Sequence, residues 1–127
     1  MTDIVTDLLR AEARRDVTSM AALLADDVVF EMPFAEPPSS VHGREALQKL
    51  LEEFLHGFYT EFTLHDIEVT PAHENGKYFA EYNSTGKAAA KDHEYRQRYA
   101  AVFQVHDGKI TTWREYFNPL PLRAALA

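Results

Sequence analysis

The sequence contains no cysteine, which excludes a disulfide framework, a thiolate nucleophile and a cysteine-based zinc site. Basic charge is scarce: 13 lysines and arginines against 20 acids give a formal net charge of -7. No basic stripe offsets that balance, so binding to nucleic acid through its phosphates is not expected. Long apolar runs are absent, and the opening MTDIVTDLLRAEARRD has neither the basic start nor the apolar stretch of a signal peptide. A soluble, cytoplasmic protein without membrane contact is the expectation. There is no glycine-rich phosphate loop after a strand and no serine in a nucleophile-elbow context. His42, His56, His65, His73, His93 and His106 are scattered, without ligand spacing beside a carboxylate cluster, so no metal site is expected. No cofactor is indicated, and small molecules remain the natural partners.

What is present fits one domain over residues 1–127, with 46% hydrophobic and 26% charged residues in a globular balance. The most informative stretch is VFQVHDGKITTWREYFNPL, Val102 to Leu120. It reads as two strands joined at Asp107-Gly108. Alternation along the second strand puts Trp113, Glu115 and Phe117 on one face and Thr112, Arg114 and Tyr116 on the other. A carboxylate thus stands between two large aromatics. If that face lines a pocket, desolvation raises the pKa of Glu115 and makes it a proton donor or acceptor near neutral pH. The alternative is a partly exposed glutamate paired with an arginine, and alternation alone leaves both open.

Along the chain, Ile4, Val5, Leu8 and Leu9 form a helical stripe, with Arg10, Glu12, Arg14 and Arg15 assigned to the solvent side of a helix over 3–15. Asp16 caps a short second helix that buries Val17, Met20, Ala21 and Leu24 and ends at Asp26-Asp27. Val28, Phe30 and Met32 alternate in a first strand stopped by Pro33, and FAEPPSSVHG reads as loop. Gly43-Arg44-Glu45 opens a long helix with a wide apolar stripe, of which the Phe54 to Phe58 end is a plausible pocket wall. Strands are expected near 61–70, 77–87, 94–106 and 109–118. Asn75-Gly76 marks one hairpin, GKAAAKDHE turns the next, and LRAALA offers a short terminal helix.

Helices first, then a strand, a helix and a four-strand meander give an α+β domain whose curved mixed β-sheet wraps around its helices. With LADDVVFEMP, HGREAL and DGKITTWREYFNPL, this order resembles the SnoaL-like branch of the nuclear transport factor 2-like (ketosteroid isomerase-like) superfamily. The resemblance implies a cone enclosing an apolar pocket, and a homodimer through the outer sheet face. Steroid-isomerase relatives carry a general base where this chain has Met32, an oxyanion-hole tyrosine near Leu8 and a second acid near Ala101. The resemblance therefore implies that this is not a Δ5-3-ketosteroid isomerase. Limonene-epoxide-hydrolase relatives have a similar last strand, with an aspartate matching Glu115, but their arginine and second aspartate fall near Tyr82 and Ser84. Phenazine-biosynthesis relatives match their acid-base glutamate to Glu115, whereas their histidine corresponds to about Leu50. In polyketide-cyclase relatives an inward acid on a late strand serves the proton transfers of ring closure.

The resemblance and the alternation together place Tyr82, Ser84, Gln97 and Tyr99 beside Trp113 and Phe117, with Phe30, Met32, Phe54 and Phe58 as apolar walls. Tyr82 and Tyr99 have the simpler role of capping core packing, and Ser84 and Gln97 that of bonding to nearby backbone. Arg96, Arg98 and Arg114 belong outside. The leading expectation is a small enzyme doing isomerisation, cyclisation, dehydration or epoxide opening on an apolar small molecule. Glu115 shuttles the proton, and Tyr82 or Tyr99 donates to a developing oxyanion. A non-catalytic carrier or sensor using the same pocket is the alternative. A protein-interaction module is a third, which requires an exposed apolar patch.

Overall fold

The computed structural model describes residues 2–89 and 93–126. Asp3 starts the first helix, its carboxylate accepting from the Thr6 amide at 2.8 Å, and α1 runs Ile4–Ala13. Asp16 caps α2 (Val17–Ala22) in the same way through the Ser19 amide at 3.1 Å. Strand β1 (Leu24–Met32) follows at once. Asp26 and Asp27 therefore lie inside β1 as exposed residues rather than ending α2, at a shift of register between β1 and its neighbour. A second correction concerns FAEPPSSVHG, where Ser39–His42 form a short edge strand, β2, paired antiparallel to β1. Its turn-forming composition hides four extended residues whose backbone completes the β1 edge.

Helix α3 (Arg44–Glu52) passes without a break into a π-helical turn, Glu53–Phe58. The remaining strands are β3 (Tyr59–Pro71), β4 (Lys77–Ala88), β5 (His93–His106) and β6 (Lys109–Phe117). All four expected strands are present to within two residues at each end. The terminal helix α4 (Pro119–Leu126) begins earlier than LRAALA, because Pro119 and Pro121 sit in its first turn, where no amide hydrogen is needed. Of the turn expected in GKAAAKDHE, residues 90–92 lie outside the described residues.

The sheet order is β2-β1-β6-β5-β4-β3, with β1 parallel to β6 and every other pair antiparallel. Helices α1 to α3 pack on the inner side, where Leu8, Leu9, Met20, Leu24, Leu47 and Phe103 are fully buried. Among the described residues, no helix is long and apolar enough to cross a membrane.

Gly76 holds φ +80° in the β3–β4 turn, and a Cβ there would lie 2.5 Å from the Val105 carbonyl oxygen. The Val105 amide donates back to the Gly76 carbonyl at 2.7 Å, so the two segments cannot separate freely. Gly76→Ala is expected to cost about 2 kcal/mol. The check is a lowered urea midpoint at unchanged slope.

Candidate active site

The period of two along β6 turns Trp113, Glu115 and Phe117 inward, and all three are buried. Glu115 is 7% exposed, which settles the alternative left open by alternation: it is not a surface carboxylate. Its partner is Tyr82 on β4, whose hydroxyl donates to Glu115 Oε2. Register explains how that bond spans β5. Tyr82 lies opposite Tyr99 and Glu115 opposite Ala101, so the small Ala101 side chain leaves room for the tyrosine to reach across. The Tyr82 ring is stacked on Tyr99, with centroids 5.0 Å apart, which fixes its direction.

A second carboxyl reaches the same cavity from the opposite wall. Glu12 follows Val5, Leu8 and Leu9 at helical spacing on α1 and is buried with them rather than facing solvent. Its Oε1 atom is shielded from water and, among the described residues, has no hydrogen-bond partner. The Trp113 indole N–H is likewise buried without a bond of proper geometry, although it lies close enough to the Tyr82 hydroxyl to stabilise its ionised form.

Glu12 and Glu115 line one pocket of about 80 Å³, bounded by Phe30, Phe54, Trp113 and Tyr99 and by Leu122 of α4. That is room for more than a trapped water. Burial pushes the Glu115 carboxyl up to about 7, against the lowering effect of the Tyr82 hydroxyl. Burial also holds Glu12 well above the usual carboxylate range, and the neighbouring Glu115 charge adds to it. The phenols of Tyr82 and Tyr99 are raised by burial as well, so they stay protonated as donors. The site is thus an aromatic chamber with two carboxyls that hold protons more tightly than carboxyls in water. Of the two, Glu115 can give and take a proton near neutral pH.

Of the residues expected from the sequence, Glu115, Tyr99, Phe30, Met32, Phe54, Trp113 and Phe117 line the pocket. Tyr82 stands behind it and acts on it through Glu115. Three others do not line it. Phe58 packs its ring edge-on against Tyr59, 4.7 Å away, and against Phe54, 5.9 Å away, behind the pocket wall. Ser84 bonds the Tyr99 hydroxyl at 2.9 Å from behind the ring wall. Gln97 clips the end of β6 by donating to the Asn118 carbonyl at 2.8 Å and to the Tyr95 hydroxyl at 3.1 Å. Among the described residues no group of three histidine or acidic side chains is placed to hold a metal ion.

Glu12, Tyr59 and Tyr95 were not among the residues expected at the site. Glu12 had a legible signal, standing three residues after Leu9 and four after Leu8 on the buried stripe. Tyr82→Phe should raise the Glu115 midpoint above about 7, because it deletes the bond that favours the ionised form. Carboxyl carbon NMR of the variant checks the direction, and an unmoved or lower midpoint would refute it.

Comparison with known proteins places these features. A model of the SnoaL-like domain matches residues 5–113. The chain is 27% identical over 114 residues to the uncharacterised protein YesE of Bacillus subtilis, covering 87% of this chain and 76% of that one. The crystal structure of a candidate polyketide cyclase from Xanthomonas campestris superposes with a TM-score of 0.82 at 28% identity, over 98% of this chain and 94% of the other. A candidate isomerase from Bacillus subtilis gives a TM-score of 0.84 at 23% identity, over 97% and 89% of the two chains, a likeness of fold alone.

Proposed function

The chain belongs to the SnoaL-like domain family of the nuclear transport factor 2-like superfamily, and on that premise we propose that it performs acid-base chemistry on a small, largely apolar molecule held in the pocket. The reaction class is isomerisation, cyclisation, dehydration or epoxide opening, and no cofactor takes part. One observation carries the reading: a buried carboxyl, Glu115, faces an aromatic cavity with its ionised form held by Tyr82 and its pKa near 7. In the ring-closure and isomerisation readings Glu115 moves the proton, Tyr82 tunes it, and Phe30, Phe54 and Trp113 hold the substrate. Tyr99 has its hydroxyl on Ser84, so it would reach an oxyanion only by exchanging that bond. The likeness to a candidate polyketide cyclase favours this class. A Δ5-3-ketosteroid isomerase is not favoured, since Met32 and Ala101 stand where those relatives carry acids.

The test is a screen of small ketones, epoxides and polyketide intermediates with wild type and Glu115→Gln. Turnover by wild type that the variant loses, with binding retained, supports an enzyme. Binding without turnover by either protein would assign the pocket to a carrier or sensor.

For assembly, we propose a homodimer through the outer sheet face. Phe79 is 46% exposed there, and its register partner Val102 pairs in turn with Arg114, whose Nε atom is buried without a partner. An exposed aromatic on an uncovered sheet face is a surface that gains by being covered. Sedimentation is expected to give a dimer at micromolar concentration, and a monomer would contradict it.

A further inference from the structure

The pocket's polar content is lopsided. Two carboxyls line it, and among the described residues no lysine, arginine or histidine does. Glu12 is nine-tenths buried, and among the described residues its Oε1 atom has no hydrogen-bond partner. A buried acceptor left unpaired is costly, and a ligand that brings the missing donor removes that cost. The same cavity is walled by Tyr59, Tyr95, Tyr99 and Trp113, whose ring faces carry negative potential.

We propose that the natural ligand of this pocket carries a protonated nitrogen on an otherwise apolar skeleton, its N–H groups bonding the Glu12 and Glu115 carboxyls and its charge lying against the tyrosine and tryptophan rings. This rests on the reading that the pocket takes a small molecule and is independent of whether turnover follows. A carboxylate or phosphate ligand would face two acids and the negative faces of the rings with no cation to meet it. A wholly apolar ligand would leave Glu12 Oε1 unpaired. A neutral alcohol would supply one donor but nothing for the rings to attract, which makes it the informative competitor.

The titratable groups that face the ligand are Glu12 from α1, Glu115 from β6, Tyr59 from β3, Tyr95 and Tyr99 from β5, with Tyr82 of β4 behind Glu115. Burial keeps the tyrosines neutral and favours the protonated form of both carboxyls in the empty pocket, with Glu115 half protonated at about pH 7. A cation draws the carboxyls into their ionised form, so its binding releases protons and strengthens as pH rises through about 7. An alkylammonium keeps its own proton throughout that window.

Three probes of one size separate the classes: benzylamine, benzyl alcohol and benzoate. The chain has one tryptophan, Trp113, and it lines the pocket, so its fluorescence reports occupancy there directly. At about pH 8, benzylamine is expected to bind about tenfold more tightly than benzyl alcohol, with the gap narrowing at about pH 5.5 and benzoate not competing. Calorimetry in buffers of different ionisation enthalpy should show proton release for the amine and none for the alcohol. Glu12→Gln should reduce the amine's advantage while leaving the alcohol bound, and the wild-type calorimetry stands even if that variant folds poorly. Equal or tighter binding of the alcohol, or competition by benzoate, overturns the proposal and leaves the small-molecule pocket standing. No binding by any probe overturns both.

Discussion

Raising the pH from about 4.5 to about 8 is expected to lower the unfolding free energy of this protein by about 3 kcal/mol through Glu115 alone, with Glu12 acting in the same direction. The sign follows from proton uptake. Burial raises the Glu115 carboxyl from its ordinary 4.5 to about 7 in the folded chain. Between those values the native state holds a proton that the unfolded state has released, so stability is greatest below the lower value and falls as pH rises through the upper one. Above it the folded chain bears a buried negative charge, and Tyr82 offsets only part of the penalty. Glu115→Gln keeps the shape and the acceptor for Tyr82 without the charge. It should therefore flatten the curve and exceed wild type in stability at about pH 8, with no gain at about pH 4.5. Asp16, Glu36 and Asp66 are held low by hydrogen bonds from Ser19, Arg123 and His65, so their contributions vanish only below this window. Urea titrations at three pH values measure the slope directly, and stability that stays level or rises with pH would refute the linkage.

On any substrate that the wild type turns over, Glu115→Gln is expected to lower kcat by about 10²- to 10⁴-fold with little change in KM, the usual scale for removing a positioned general acid or base. The amide preserves packing against Trp113 and Phe117 but has no proton to exchange. Wild-type kcat should titrate near pH 7 with the Glu115 carboxyl, and the variant's residual rate should lose that inflection. A variant that loses rate only through a raised KM would mean that Glu115 binds rather than reacts. One that keeps both constants would remove it from the chemistry altogether.

Much of this site could be read from the sequence because strand geometry translates directly into facing. Trp113, Glu115 and Phe117 share a side by a period of two, and that rule holds wherever the ladder is regular. The four long strands and their two glycine turns were legible for the same reason. Ser39–His42 was not, since an edge strand is defined by the partner it pairs with and its residues are those of a turn. Glu12 shows a different failure. Its charge led to a solvent assignment, although its position on α1 continues the stripe of Val5, Leu8 and Leu9, and only the fold reveals a cavity at that point. The Tyr82–Glu115 bond joins residues 33 apart and depends on two strand registers and on the small Ala101 between them. Alternation could put both side chains on the inner face, but it could not set the distance between them. Ser84 and Gln97 illustrate the converse: they face inward as expected, yet their hydrogen bonds go to Tyr99 and Asn118 and not to the cavity.

The account turns on Glu115 being a buried, protonatable carboxyl that faces the pocket. The direct measurement is the carboxyl carbon resonance of Glu115 followed by NMR from about pH 3 to about pH 9, assigned with Glu115→Gln and repeated in Glu12→Gln to separate the two acids. A midpoint near pH 7 that stays in place in Glu12→Gln is the predicted result, since burial and the Tyr82 bond, and not the Glu12 charge, set it. A midpoint at or below the ordinary 4.5 would contradict it, and would make Glu115 a structural acceptor for Tyr82 with no proton to give.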